Sequence, residues 1–101
     1  MLLYNVTVKI DLAIHDEWLT WMRQEHIPKV MYTGTFQSYR ICRLLEQDES
    51  DGITYALQYF CESYDKYRLY QEKYAPTLQR EHANKFRSRF VAFRTLLKIV
   101  E

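Results

Sequence analysis

The stretch LLYNVTVKI, residues 2–10, places apolar and polar side chains on alternate positions over most of its length. One side would carry Leu2, Tyr4, Val6, Val8 and Ile10, and the other Leu3, Asn5, Thr7 and Lys9. This period of two residues is typical of a β-strand with one buried face. We therefore predict that the chain begins with a half-buried strand.

Two later segments show the three- and four-residue spacing of an amphipathic helix. The first helix should begin near Ile14 and stop at Gly34, and its inner stripe would comprise Leu19, Met22, His26 and Val30. The second should be capped by Ser63, with a stripe formed by Tyr67, Tyr70, Tyr74, Leu78, His82 and Phe86. Pro28 and Pro76 should each bend or restart their helix, because proline lacks the backbone N–H.

Three further strands complete the predicted order. The segments from Phe36 to Leu45 and from Ile53 to Cys61 are rich in β-branched and aromatic residues, and Asp51-Gly52 between them indicates a hairpin. Phe90 to Val100 again has the composition of a strand. The order β-α-β-β-α-β predicts an α+β fold of the ferredoxin-like type, with a four-stranded antiparallel sheet and both helices on one face.

The second face of such a sheet has no helix to cover it. The third and fourth strands carry apolar side chains in both phases: Tyr55, Leu57, Tyr59, Val91 and Phe93 in one, Ala56, Phe60, Phe90, Ala92 and Leu96 in the other. An apolar face of this kind needs a cover, and a second copy of the chain is the simplest one. We expect a homodimer of the dimeric α+β barrel type.

Length and composition favour a single ordered domain spanning residues 1–101. The chain is 48% hydrophobic and 27% charged, with two glycines and two prolines, which is globular composition without linkers. The net charge of +1 gives no field that would attract nucleic acid or anionic lipid. No signal-peptide pattern or membrane-length apolar stretch is present, so we expect a cytoplasmic protein with no nucleic-acid or membrane partner.

No cofactor and no metal site are predicted. Cys42 and Cys61 are too far apart for a CxxC site, and we expect both thiols to be reduced and packed in the core. A metal site formed by His26, His82 and a glutamate is an alternative, but no local metal-binding spacing supports it. RNA-recognition modules share the βαββαβ order, yet Leu57 stands where an aromatic side chain would stack on a base.

Polar side chains on the strands form the candidate ligand site. If strand one lies between strands three and four, the face opposite the helices would carry Asn5, Thr7, Gln58 and Arg94, joined by Arg40 or Arg43 of strand two. Such a cluster suits a small anionic or carbonyl-bearing ligand, because Arg binds carboxylate or phosphate with paired donors. The alternative is a set of polar contacts that holds the register of a dimer interface.

His26 is the candidate for proton chemistry, because imidazole exchanges protons near neutral pH. It falls on the inner stripe of the first helix, and Pro28 frees the carbonyl of Gln24 nearby. One interpretation is a histidine satisfied by a backbone carbonyl at the bend; the other is a donor or base at the mouth of a pocket. His82 poses the same question on the second helix, where a structural role is the simpler interpretation.

Short motifs are spread over nearly the whole chain. They are Leu3-Tyr4-Asn5-Val6-Thr7-Val8, His15-Asp16-Glu17-Trp18, Glu25-His26-Ile27-Pro28, Thr54-Tyr55-Ala56, Tyr74-Ala75-Pro76 and Phe90-Val91-Ala92-Phe93-Arg94-Thr95. Together they resemble a bacterial family of short proteins known only as a domain of unknown function. The resemblance implies a ferredoxin-like chain of the dimeric α+β barrel type and implies no activity.

Three functions are compatible with these predictions. The first is a homodimeric barrel that binds a small polar-headed ligand. The second is a structural or protein-interaction module whose barrel is filled by side chains. The third is a cofactor-independent monooxygenase or isomerase, because the layout is also similar to small antibiotic-biosynthesis-type monooxygenases. Whether the protein is an enzyme stays open.

Overall fold

Four strands form one antiparallel sheet in the computed structural model, which describes residues 1–101. They are β1 (Leu2–Ile10), β2 (Ser38–Arg43), β3 (Ile53–Cys61) and β4 (Phe90–Lys98). The sheet order is β2-β3-β1-β4, so β1 lies between β3 and β4 as predicted. The predicted bounds of the third strand are confirmed, whereas β2 and β4 are shorter than predicted at their ends.

The helical layer consists of two long helices, each built from three segments. The N-terminal helix, residues 15–32, comprises α1 (His15–Trp21), a π turn (Met22–His26) and α2 (Ile27–Tyr32). The C-terminal helix, residues 64–85, comprises α3 (Tyr64–Leu69), a π turn (Tyr70–Tyr74) and α4 (Ala75–Lys85). The β-α-β-β-α-β order is therefore confirmed. Neither helix is long and apolar enough to cross a membrane.

Each π turn ends directly before a residue that precedes proline. The N–H of Ile27 donates to the carbonyl of Met22, and the N–H of Ala75 donates to the carbonyl of Tyr70, five residues back in both cases. A proline inside a regular α-helix would collide with the carbonyl four residues earlier and would leave that carbonyl without its donor. The wider π turn accommodates Pro28 and Pro76 without ending the helix.

The face of the sheet that packs under the helices, the helix face, forms the hydrophobic core. It carries the buried side chains Tyr4, Val6, Val8 and Ile10 of β1 and Tyr55, Leu57, Tyr59 and Cys61 of β3. The helices contribute Trp18, which is fully buried at 0% exposure, together with Met22, Ile27, Val30 and Leu78. This one-sided burial follows from the alternating pattern of the strands.

The opposite face of the sheet, the open face, has no covering element. On β4 it exposes three apolar side chains: Val91 at 70%, Phe93 at 61% and Leu97 at 43%. Cys42 is paired with Ala56 on this face and is exposed, so the prediction that both thiols lie in the core is wrong for Cys42. Cys42 falls on the solvent side because its phase in β2 turns it to the uncovered face of the sheet. Cys61 is buried and free.

Gly52 stands at the end of the β2–β3 loop, where a side chain has no room. A β-carbon there would lie 2.9 Å from the backbone oxygen of Ile10 and 3.0 Å from Cε of Lys9. We expect Gly52→Ala to lower the free energy of unfolding by about 1–3 kcal/mol, because the carbonyl of Ile10 belongs to β1 and must shift. Urea denaturation measures this change.

Gly34 supplies the comparison for that measurement. It has a φ of 75° and nothing within 4 Å of a built β-carbon, so Gly34→Ala meets only backbone strain. We expect a loss of about 1 kcal/mol for this variant. A Gly52→Ala protein as stable as the wild type would contradict the steric explanation.

Candidate functional site

The strand register divides the predicted ligand-site residues between the two faces of the sheet. Asn5 pairs with Gln58 of β3, and Gln58 pairs in turn with Arg40 of β2, which places all three on the open face. Thr7 shares that face, and Nδ2 of Asn5 donates a hydrogen bond of 3.0 Å to its Oγ1. The guanidinium of Arg40 lies 5.3 Å from the ring centroid of Phe60.

The phase of β2 is therefore decided in favour of Arg40. Arg43 pairs with Tyr55, a residue of the helix face, and its guanidinium binds Glu49 through contacts of 2.6 and 3.0 Å. This ion pair is local to the β2–β3 loop. Arg43 is not part of the open-face cluster.

Arg94 does not join that cluster, and the predicted placement of Arg94 on the open face is wrong. The register pairs Asn5 with Thr95 and Val6 with Arg94, so Arg94 has the phase of the buried residues. Its neighbours on the same side of β4, Ala92 and Leu96, pack against the core. Arg94 itself is exposed, because β4 is an edge strand that the helices only partly cover.

Arg94 instead borders a cavity between the helices and the sheet. Twelve residues line it: Tyr4, Val6, Val8, Met22, His26, Leu57, Tyr59, Tyr70, Gln79, His82, Ala92 and Arg94. The space available to the centres of water molecules is about 30 Å³, room for about two waters. Both π turns contribute to the lining, through Met22 and His26 on one side and Tyr70 on the other. π turns occur frequently at functional sites.

Two neighbouring imidazoles belong to the lining of this cavity. The ring centroids of His26 and His82 lie 5.7 Å apart. Nε2 of His82 accepts a hydrogen bond of 2.9 Å from the indole Nε1–H of Trp18. Nδ1 of His26 is the single enclosed side-chain nitrogen or oxygen atom that has no hydrogen-bond partner. No backbone carbonyl accepts a hydrogen bond from this Nδ1, so the interpretation of His26 as satisfied in that way is wrong for this atom.

Burial makes the lining groups neutral. Desolvation lowers the pKa of His26 to about 4, against an opposing attraction from Glu81. Desolvation, followed by the charges of His26 and Arg94, lowers the pKa of His82 to about 4 as well. Burial also raises the pKa of the Tyr59 and Tyr70 hydroxyls. At neutral pH the cavity thus contains neutral rings and hydroxyls beside one guanidinium.

Gln79 was not singled out from the sequence, and Tyr59 and Tyr70 were named only as positions of a strand and of a helical stripe. The contact between Trp18 and His82 was also missed, because it joins residues 64 positions apart. The feature of the sequence that could have predicted this cavity is the position of His26 and His82 on the inner stripes of the two helices. Two helices that cover one small sheet bring such positions close together, although their spacing does not show which side chains touch.

A second polar chain lies outside the cavity, at the start of α1. Nε2 of His15 is 2.6 Å from the hydroxyl of Tyr55, and Nδ1 of His15 is 2.9 Å from Oδ1 of Asp16. The side chain of Asp16 is fully exposed. No cavity adjoins the Tyr55 hydroxyl, so this chain of contacts satisfies a buried tyrosine rather than forming a ligand site.

Solved structures of the same architecture cover nearly all of this chain. A dimeric ferredoxin-like protein from an uncultured marine organism has a TM-score of 0.69 at 12% identity, covering 100% of this chain and 96% of its own. A candidate antibiotic biosynthesis monooxygenase from Nitrosomonas europaea has a TM-score of 0.70 at 8% identity, with 100% of both chains covered. SnoaB, a cofactor-independent oxygenase from Streptomyces nogalater, has a TM-score of 0.66 at 13% identity, covering 99% and 94%.

At these identities the likeness shows a shared ferredoxin-like fold and not a shared activity. No curated protein matches the sequence. A family model does match it, over residues 1–100. The chain therefore belongs to the family described as Domain of unknown function (DUF4286).

Proposed function

We propose that this protein is a homodimeric barrel in which each chain binds one small, partly apolar molecule with a polar head between its helices and its sheet. The observation that carries the proposal is the cavity that Arg94, His26 and His82 share. Its lining is two-thirds hydrophobic, with 8 of 12 residues, and its polar groups converge from three elements. A mostly apolar concave site with a few convergent polar groups is typical of ligand pockets.

The position of Arg94 indicates how a ligand would enter. Arg94 is exposed on an edge strand while the imidazoles lie deeper, so the guanidinium stands at the mouth of the cavity. The existing space holds about two waters, and a larger molecule must displace the Arg94 side chain or separate the helices. A flexible arginine at the mouth can move at little cost and can bind the polar head after entry.

The open face supports the dimer. Val91, Phe93 and Leu97 expose apolar surface at the β4 edge of this face, and the polar Gln58 and Arg40 lie on β3 and β2, toward the opposite edge. A second sheet packed on this face would bury the apolar side chains and would leave the polar pair to hold the register. In this arrangement Asn5, Thr7, Gln58 and Arg40 are interface residues, whereas His26 and Arg94 belong to the pocket.

A second candidate function is a structural or protein-interaction module whose interior is filled by side chains. The small volume of the cavity, about 30 Å³, favours it. The enzyme version of the first candidate, cofactor-independent oxygenation or isomerisation, is supported by the shared fold with SnoaB alone. The ligand-binding barrel and the filled module give different results in the experiment below.

Native mass spectrometry of the freshly purified protein, stepped from gentle to denaturing conditions, tests the proposal. We expect a dimer that releases one defined small mass per chain. Arg94→Ala should reduce the fraction of chains that carry the small mass at least about tenfold, because it removes the only cation lining the cavity. Arg40→Ala removes the same type of side chain from the open face, and it should retain the small mass.

Two results would contradict the proposal. A ligand-free dimer that also fails to bind any member of a metabolite mixture would favour the filled module. Equal loss of the small mass from Arg94→Ala and Arg40→Ala would place the ligand between the two sheets rather than under the helices.

A further inference from the structure

We propose that the head group bound in the cavity is an oxyanion of the carboxylate type, and that Trp18 is a positioning residue that makes His82 an N–H donor to it. The inference rests on the proposed function, which it extends to a ligand class. It follows from the hydrogen bond that His82 accepts and from the absence of a partner at Nδ1 of His26.

Trp18 decides which nitrogen of His82 carries the proton. An indole N–H can only donate, so Nε2 of His82, which receives it at 2.9 Å, must present a lone pair. A neutral imidazole has one ring proton, and that proton is then on Nδ1. Because Trp18 is fully buried, core packing holds its indole in this geometry.

The Nδ1–H of His82 has no partner in the protein. Nδ1 makes no hydrogen bond, yet it is not enclosed, since the enclosed atom without a partner is Nδ1 of His26 alone. His82 is only 6% exposed and lines the cavity. This N–H is therefore available to donate to a ligand, which is the role that the proposal gives it.

His26 adds a second donor. Its Nδ1 is enclosed with no acceptor in reach, and an enclosed N–H without an acceptor is rarer in proteins than an enclosed acceptor without a donor. The proton of the neutral ring is accordingly on Nε2. Glu81, the carboxylate that attracts His26, is held by Lys29 at 2.9 Å and does not line the cavity.

The polar groups of the cavity thus consist largely of donors. Two imidazole N–H groups and the guanidinium of Arg94 can donate, and no Asp or Glu lines the site. The amide of Gln79 and the hydroxyls of Tyr4, Tyr59 and Tyr70 can either donate or accept. A cationic head group would leave these donors unsatisfied, and a neutral carbonyl would accept only one or two of them. An oxyanion accepts several of them at once, through stronger charge-assisted bonds. The ligand class that fits is a small apolar carboxylate.

Nitrogen-15 NMR of the ligand-free protein at neutral pH tests the role of Trp18 directly. We expect the long-range couplings of His82 to show a protonated Nδ1 and a bare Nε2, and those of His26 to show a protonated Nε2. Trp18→Phe should give a mixture of tautomers at His82. Trp21→Phe is the matched control, because the ring centroids of Trp21 and His82 lie 5.8 Å apart and Trp21 donates no hydrogen bond to His82. A protonated Nε2 on His82 in the wild type would overturn the inference, even if Trp18→Phe does not fold.

Acetate and acetamide, two molecules of the same size and shape, test the ligand class. We expect acetate to shift the His82 Nδ1–H signal saturably and to bind at least about tenfold more tightly than acetamide. Arg94→Gln should remove that preference. Equal effects of the two molecules, or no effect of acetate, would overturn the oxyanion assignment. A small mass released in native mass spectrometry would in that case still support the pocket. Failure of the oxyanion assignment is therefore distinguishable from failure of the proposed function.

Discussion

Replacing Phe93 with aspartate is expected to weaken the proposed dimer at least about 100-fold, which is a loss of about 2.7 kcal/mol in dimerisation free energy. Phe93 is 61% exposed on the open face and pairs with Thr7 of β1, so a second sheet would bury it. An aspartate there would have to lose its hydration when the second sheet covers it. Sedimentation velocity over a concentration series measures the change.

The matched control is Tyr32→Asp. Tyr32 is 90% exposed at the end of α2, on the other side of the molecule, and should tolerate the same change of aromatic ring to carboxylate. Both variants should keep the far-ultraviolet circular dichroism of the wild type. A Phe93→Asp protein that sediments as the wild-type dimer would show that the open face is not the interface.

Acidification is expected to destabilise the protein between about pH 6.5 and pH 4. The pKa of both His26 and His82 is about 4 in the folded protein, below the ordinary value of 6.5. The unfolded chain therefore binds more protons in this window, and the free energy of unfolding falls as the pH falls. The full shift of one imidazole corresponds to on the order of 3 kcal/mol. The two rings interact, so their contributions will not add.

Urea denaturation at pH 7.0, 5.5 and 4.5 and constant protein concentration measures this loss. Asp11, Asp48 and Glu49 have lowered pKa values, so protonation of these carboxyls acts mainly at the acid end of the range. The variant His26→Gln should reduce the slope of stability against pH, whatever its effect at pH 7. An unchanged slope would mean that His26 is not buried as a neutral ring.

The face that each strand turns to the helices was predictable only where its sequence alternates. Val6 and Val8 of β1 are apolar while Asn5 and Thr7 are polar, so the open-face position of the polar pair followed directly. In β4 both Ala92 and Phe93 are apolar, and the pattern alone does not set the phase. The pairing of Arg94 with Val6 decides the phase of β4. It places Arg94 on the helix face, beside the cavity, and not on the open face.

The two helices show the same division. Prolines at 28 and 76 predicted disturbed helices, because the missing N–H is a property of the residue itself. The form of the disturbance, a π turn in each helix, depends on the carbonyl that must be avoided and on the sheet that keeps the helix continuous.

The sequence by itself determined the element order, the inward positions of His26 and His82 and the presence of apolar side chains on a sheet face that no helix covers. These features depend on local periodicity and composition. Only the tertiary structure decided the phase of Arg94, the choice of Arg40 over Arg43 and the contact of Trp18 with His82. The reason is that a register shift of one residue exchanges the two faces of a strand. Pairing with distant residues, rather than the strand's own pattern, selects between them.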